Sequence, residues 1–69
     1  MIEFDLNGRE YIQMNDLLKV NSLVGTGGEA KIRILAGEAF YNNEREYQIR
    51  KKVRSGDVVK FDGEEITVK

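Results

Sequence analysis

The stretch LVGTGGEAKIRILAG, from Leu23 to Gly37, decides the fold, because it holds a loop, a helix start, a short helix and a helix end. Thr26 is a good N-cap, since its hydroxyl can accept a backbone N–H that the first helical turn leaves unpaired. Glu29 lies three residues later and can reach back to the N–H of the cap, which would complete an S/T-x-x-E capping box. Gly37 can adopt the left-handed conformation that ends helices.

Two glycines, Gly27 and Gly28, occupy the first turn of this predicted helix, although glycine lowers helix propensity. A bare backbone there would let a phosphate approach the free N–H groups of the helix start, where the helix dipole favours an anion. Glu29 lies in the same turn and would repel an anion unless the capping box holds its carboxylate. The T-G-G-E segment is not a P-loop or a dinucleotide fingerprint, because it follows a helix and not a strand.

The composition excludes several classes of function. The chain has 69 residues, enough for one domain with a small core, and it contains neither cysteine nor histidine. A disulfide framework, a cysteine nucleophile, a His- or Cys-based zinc site and the usual general base are therefore missing. We predict a protein that is not an enzyme and that uses no metal or cofactor.

The chain is also expected to stay away from membranes. No apolar run approaches the roughly 18 residues that a membrane span needs. The absence of disulfides in so small a domain suits a reducing, cytoplasmic setting. We therefore expect a cytoplasmic protein.

Charge is distributed unevenly along the chain, whose net charge is −1. Residues 29–56 carry seven basic and four acidic residues, a net of +3, and the remainder carries −4. A near-neutral protein of this kind can still present a basic face to a phosphate backbone. The basic run Arg50–Arg54 has one apolar anchor, and both a solvated loop and a nucleic-acid contact remain open for it. Lys31 and Arg33, on the predicted helix, favour the second interpretation.

The N-terminal third of the chain predicts a hairpin and a first helix. Apolar residues alternate with acidic ones over residues 2–6, and Asn7-Gly8 is a strong hairpin-turn signal, so we predict a returning strand over residues 9–13. Asn15 is the predicted cap of a helix over about residues 16–21. Two short helices joined by a few residues are expected to pack at an angle.

The chain after Gly37 predicts strands and turns. The strands are expected at residues 39–41, 45–49, 58–61 and 66–68. Asn42-Asn43 and Asp62-Gly63 have the composition of tight turns between them. Two short helices packed against one side of a small, mostly antiparallel sheet make an α+β fold.

An ordered set of segments resembles the S4-like RNA-binding domain, also called the alpha-L motif, over residues 13–61. The segments are M-N-D-L-L-K at 14–19, L-V at 23–24, G-E-A-K at 28–31, Gly37, Asn42 and V-R-S-G-D-V-V at 53–59. The similarity is closest to the small stand-alone bacterial members of the YaaA/YbcJ type. The chain departs from the family pattern at Gln13, where many members have arginine, and at Ile32, where a basic or aromatic residue is usual.

The resemblance implies one S4-like domain over residues 1–69, with the N-terminal hairpin (residues 1–12) largely outside the core resemblance. It implies binding to structured RNA of the ribosomal or transfer class, and hence a part in translation, through phosphate contacts on a basic face. Together with the basic run, the candidate RNA-binding residues are Lys19, Gly27, Gly28, Lys31, Arg33, Arg50, Lys51, Lys52 and Arg54. The alternative is a protein-interaction module with the same fold and little RNA affinity, which an exposed Ile32 would suit.

Overall fold

Two helices and seven short strands make up the fold in the computed structural model, which describes residues 1–69. The helices are α1 (Met14–Val20) and α2 (Gly27–Leu35). The strands are β1 (Ile2–Phe4), β2 (Ile12–Gln13), β3 (Ala39–Tyr41), β4 (Glu44–Arg45), β5 (Lys52–Val53), β6 (Val58–Phe61) and β7 (Glu64–Val68). Neither helix has the length and apolar composition that crossing a membrane requires. The predicted α+β class is confirmed.

The strands form one sheet of five and a separate ribbon of two. The larger sheet has the order β1-β7-β6-β3-β4, and every pair in it except β1–β7 is antiparallel. The ribbon is the antiparallel pair β2–β5, in which Ile12 lies opposite Val53. The prediction of a mostly antiparallel sheet is confirmed.

The predicted N-terminal hairpin is wrong. Asn7 and Gly8 do form a turn, with φ of 54° and 85°, but the chain that leaves it does not pair with β1. Instead β1 runs parallel to β7, with Ile2 opposite Ile66. The pairing extends to Leu6, whose N–H donates to the Lys69 carbonyl at 2.9 Å. This arrangement buries the Leu6 side chain in the core, and that burial favours β7 over the local hairpin partner.

A single apolar core lies between the helices and the larger sheet. It contains 14 buried residues, all of them apolar, and no polar or charged residue is buried. The largest of these side chains are Phe61, Met14, Leu17, Leu18, Ile34 and Ile66. Ile12 and Val53 bring the ribbon into the same core. The ribbon is therefore fixed to the helices by burial, although its strands are only two residues long.

Helix α2 begins at the predicted cap. The Thr26 hydroxyl accepts the N–H of Glu29 at 3.1 Å. The Glu29 carboxylate reaches back one residue further than predicted and accepts the N–H of Gly25 at 2.7 Å. The Thr26 hydroxyl and the Glu29 carboxylate thus each accept a backbone hydrogen bond at the start of α2.

The end of α2 is also the predicted one. Gly37 has a φ of 84°, and its N–H donates to the Ile34 carbonyl at 3.0 Å. The next N–H, of Glu38, donates to the Arg33 carbonyl at 3.2 Å. These two bonds form a Schellman motif, which requires the left-handed residue that glycine supplies without strain.

Helix α1 begins earlier than predicted, at Met14, and Asn15 is not its cap. The residue at the cap position is Gln13, whose side chain makes no capping hydrogen bond. The N–H of Met14 instead donates to the Lys51 carbonyl at 2.9 Å, and the N–H of Asn15 donates to the Ile49 carbonyl at 3.0 Å. A distant loop therefore satisfies the start of this helix.

The strand predicted over residues 45–49 is wrong for the same reason. The strand is limited to Glu44–Arg45, the Glu46 N–H still donates to the Ala39 carbonyl at 2.9 Å, and the chain then leaves the sheet. The Ile49 carbonyl accepts the N–H of Asn15 at the start of α1, so it is unavailable to strand pairing.

The Thr26→Ala substitution should lower the free energy of unfolding by about 0.5–2 kcal/mol, because the Glu29 N–H loses its acceptor. Chemical denaturation monitored by circular dichroism measures this change. Ser55→Ala, which removes an exposed hydroxyl outside the helices, is the control and should stay within about 0.5 kcal/mol of the parent. Equal stability of the two variants would contradict the role of the cap.

Candidate nucleic-acid interface

The turn that follows the basic run is held by the carboxylate of Asp57. Its Oδ2 accepts the Tyr41 hydroxyl at 2.7 Å and the Arg54 N–H at 2.8 Å. Its Oδ1 accepts the Asn42 side-chain amide at 3.2 Å. Gly56 supplies the left-handed conformation of this turn, with a φ of 94°. The carboxylate thus joins the end of β3 to the turn between β5 and β6.

These bonds change the acidity of both partners. Partial burial raises the pKa of Asp57, but the hydrogen bonds from Arg54, Tyr41 and Asn42 and the Arg54 charge outweigh it, so the pKa lies below its ordinary value. The pKa of Tyr41 is raised, first because its hydroxyl donates to Asp57 and then because it is partly buried. The pair is therefore a carboxylate and a neutral phenol at neutral pH.

Within the basic run, Lys52 and Arg54 lie on the outer face of the ribbon. Val53 between them is buried opposite Ile12, and side chains alternate along a strand, so both cations face solvent. The Lys52 ammonium lies 5.1 Å from the centre of the Tyr11 ring, and the Arg54 guanidinium lies 5.9 Å from it. The Tyr11 ring thus makes cation–π contacts with both Lys52 and Arg54.

Lys51 takes the opposite direction along the run. Its ammonium lies 4.7 Å from the centre of the Tyr41 ring, and Asp57 fixes that ring through the tyrosine hydroxyl. The Lys51 carbonyl is one of the two that satisfy the start of α1. Backbone and side chain together fix the place of this cation.

A surface cleft of about 470 Å³ brings distant parts of the chain together. It is lined by Asn15, Gly27, Gly28, Lys31, Ile49 and Arg50. Four of these are residues that the sequence singled out, at the start of α2 and in the basic run. The loop that satisfies α1 carries Arg50 to this place, because the carbonyls of Ile49 and Lys51 flank it.

The two glycines of the cleft are not required by the packing of the protein. A Cβ atom on Gly27 would meet no heavy atom within 4 Å, and on Gly28 the nearest would be Thr26 Oγ1 at 3.8 Å. No group of the chain accepts the N–H of either glycine. Glu29 is turned toward Gly25 and lies 3.7 Å from Arg33. The start of α2 therefore presents two bare N–H groups with the nearby carboxylate occupied.

Arg33 occupies a different environment from the other candidate cations. Its guanidinium lies 2.8 Å from the Glu38 carboxylate and 3.4 Å from that of Asp62, and it stacks at 4.5 Å over the ring of Phe61. The hydrogen bond with Glu38 is the main reason that the pKa of Arg33 is raised. Arg33 is the only candidate cation that forms an ion pair.

Lys19 lies apart from the cleft, exposed on α1 and without an ion pair. The sequence did not single out Tyr11 or Asp57, and it misassigned Asn15. The partners of Tyr11 and Asp57 come from long-range pairings, of β2 with β5 and of β3 with β6. Only the G-D pair at residues 56–57 signals a turn locally.

Comparison with known proteins identifies the family of this chain. A family model described as the S4 domain matches residues 4–69. The chain belongs to the S4-domain family. The S4 match begins at Phe4, the last residue of β1, and runs to residue 69, so it extends beyond the sequence resemblance over residues 13–61 at both ends.

Two relatives of this S4 domain share the name YbcJ. The chain is 31% identical over 68 residues to "Putative RNA-binding protein YbcJ" of Escherichia coli (strain K12), covering 99% of this chain and 97% of that protein. It matches "Uncharacterized protein YbcJ" of Shigella flexneri to the same extent.

A solved relative supports the fold. The solution structure of E. coli YbcJ, described as revealing an alpha-L motif involved in RNA binding, aligns with a TM-score of 0.75 and 31% identity. The alignment covers 99% of this chain and 86% of that one. The predicted S4-like, alpha-L fold is confirmed.

The Asp57→Asn substitution should make stability less dependent on pH. Because the folded pKa of Asp57 is lowered, its contribution is present above the unfolded pKa of about 3.9 and is lost as pH falls through the folded pKa. Urea unfolding should show the parent more stable than Asp57→Asn at pH 7, with the difference shrinking in acid below that value. A difference that stays constant into strong acid would contradict the role of the carboxylate.

Proposed function

We propose that this S4 domain binds structured RNA through phosphate contacts on one basic surface. The basic surface consists of the N–H groups of Gly27 and Gly28 and the side chains of Lys31, Arg50, Lys51, Lys52 and Arg54. The observation that carries the proposal is the cleft, which joins the bare start of α2 to two cations without acidic partners. A helix start of this kind attracts phosphate through its free donors and its dipole.

The fixed spacing of the cations favours folded RNA over a flexible strand. Hydrogen bonds link the loop that carries Arg50 to α1, and burial of Val53 fixes the ribbon that carries Lys52 and Arg54. Cations at set distances match phosphates at set distances, which a folded RNA provides. We assign the partner to the ribosomal or transfer RNA class, and the protein to the cytoplasm and to translation. The name of the relative, "Putative RNA-binding protein YbcJ", supports RNA as the ligand.

We assign different roles to the remaining candidates. Arg33 is left out of the basic surface, because its guanidinium is held among Glu29, Glu38 and Asp62. Lys19 remains a peripheral contact, exposed on α1. No catalytic step is assigned to the surface, whose groups bind and position an anion and carry no general base.

Reversing charge on the basic surface should weaken RNA binding. A variant with both Lys51→Glu and Lys52→Glu should bind a ribosomal RNA stem–loop at least tenfold more weakly. For the parent, neutralising about three to five phosphates should make log K fall against log[salt] with a slope near −3 to −4. Fluorescence anisotropy at several salt concentrations measures both quantities. The slope of the variant should be shallower by about one or two units.

Lys60→Glu, together with Lys69→Glu, is the matched control, since it adds the same charge in β6 and at the residue after β7, outside the basic surface. It should retain most of the affinity, with only the loss that a change in net charge produces. Equal losses in the two double variants would show that net charge, and not the basic surface, governs binding.

Adding methyl groups at the start of α2 should raise stability and weaken RNA binding. The Gly27→Ala and Gly28→Ala substitutions should each raise the free energy of unfolding by about 0.5–1 kcal/mol, because alanine is the better helix former and its Cβ has room. The double variant should nevertheless bind RNA more weakly, since two methyl groups would stand before the free N–H groups. Thermal unfolding and anisotropy on the same samples test this opposition, and a variant that gains both stability and affinity would contradict it.

The second candidate function, a protein-interaction module, rests on the outer face of α2. Ile32 is 69% exposed and Leu35, three residues later on the same side, is 53% exposed. The expected partner surface is apolar. Sedimentation velocity over a range of concentrations distinguishes the candidates, because self-association without any RNA binding would favour the protein-interaction module.

A further inference from the structure

Three large apolar side chains near the end of α2 remain outside the core. Ile32 is 69% exposed, and Leu35 and Tyr47 are each 53% exposed. None of the three packs against the core cluster. Ile32 and Leu35 are three residues apart on α2, so their side chains are neighbours on the helix surface. We call these three residues the apolar patch.

The sheet order places Leu35 and Tyr47 at the same edge of α2. Arg33 marks the opposite edge, because its guanidinium stacks over Phe61 of β6. Leu35 lies two residues later, about 200° around the helix, and so on the side away from β6. Strand β4 lies on that side of β3, and Tyr47 follows β4 by two residues. The Tyr47 ring packs over Gly37, where a Cβ atom would lie 3.4 Å from Cε1 of the ring.

The apolar patch is continuous with two cations of the basic surface. Leu35 is four residues after Lys31, on the same side of α2 and about 6 Å further along its axis. The loop that follows Tyr47 runs back along the helix, since Arg50 lines the cleft with Lys31. Neither Lys31 nor Arg50 forms an ion pair. An apolar surface and two unpaired cations therefore lie side by side along α2.

This combination matches one nucleotide better than it matches a protein partner. A protein interface engages about 20–30 residues on each side, whereas the apolar patch has three. A nucleotide joins a charged phosphate to a flat base that stacks on aromatic side chains. In a continuous RNA helix the bases are stacked and paired inside. Only an unpaired base can therefore reach a protein surface of this kind.

We propose that the apolar patch receives one unpaired base of the bound RNA, stacked on the Tyr47 ring, while the adjoining phosphates contact Lys31 and Arg50. The inference rests on the proposed RNA-binding function and adds the class of RNA that the surface prefers. Phosphate contacts hold any folded RNA, and the apolar patch selects an RNA with an unpaired nucleotide beside its helix.

The test compares two RNA stem–loops that differ in one base. The first carries a single bulged adenosine in its stem. The second has an abasic ribose at that position, so the sugar and the phosphate are retained and only the base is missing. Fluorescence anisotropy should show that the parent binds the bulged RNA at least about fivefold more tightly than the abasic RNA, the contribution of one base–aromatic stack.

Substitutions in the apolar patch should remove this preference alone. Tyr47→Ala and Leu35→Ala should each lower the ratio of the two affinities toward one. Affinity for the abasic RNA should stay within about twofold of the parent, because the phosphate contacts are retained. Tyr47→Phe keeps the ring and should keep the ratio. Melting temperatures should stay close to that of the parent, since both side chains are half exposed.

Val20→Ala is the matched control. It removes an apolar side chain that is 57% exposed, but from α1 and outside the apolar patch. The ratio of the two affinities should not change.

The possible failures are distinct. If the parent binds both stem–loops equally, or if Tyr47→Ala weakens both equally, the role of the apolar patch is overturned while RNA binding stands. A ratio near one, together with self-association that Tyr47→Ala abolishes in sedimentation velocity, would assign the patch to a protein partner instead. If the parent binds neither stem–loop, even at low salt, the proposed function fails and this inference fails with it.

Discussion

The structure depends on two backbone hydrogen bonds that join the start of α1 to a loop more than thirty positions away in the chain. The N–H groups of Met14 and Asn15 donate to the carbonyls of Lys51 and Ile49. A helix start must find acceptors for its N–H groups, and here a loop supplies them in place of a side chain. Because Arg50 lies between these two carbonyls, satisfying the helix also carries a cation to the start of α2. The cleft is a consequence of that constraint.

The fold separates an ion-paired cation from unpaired ones, although the whole chain is nearly neutral. Arg33 lies among Glu29, Glu38 and Asp62, where it offsets carboxylates. None of the cations of the basic surface forms an ion pair. Three of them lie near an aromatic ring, Lys51 near Tyr41 and both Lys52 and Arg54 near Tyr11. A net charge of −1 therefore coexists with a locally positive surface, and local charge is what a phosphate backbone meets.

Three residues of the cleft lower the stability of the protein without a compensating contact. Gly27 and Gly28 weaken the start of a helix whose packing would accept alanine, and Asn15 buries an oxygen without a partner. Such conflicts are expected where a sequence serves binding as well as folding. By contrast, Asp57 has a structural role, because its carboxylate accepts three hydrogen bonds and fixes the turn after the basic run.

The sequence by itself determined α2 with both of its ends, the tight turns and the strands β3, β6 and β7. Each depends on residues only a few positions apart, so local chemistry is sufficient. Only the tertiary structure decided the parallel partner of β1, the start of α1, the loss of a strand over residues 45–49 and the separation of Arg33 from the cleft. These features join residues far apart in the chain, such as Ile2 and Ile66, and core burial selects among partners that local pattern leaves equivalent.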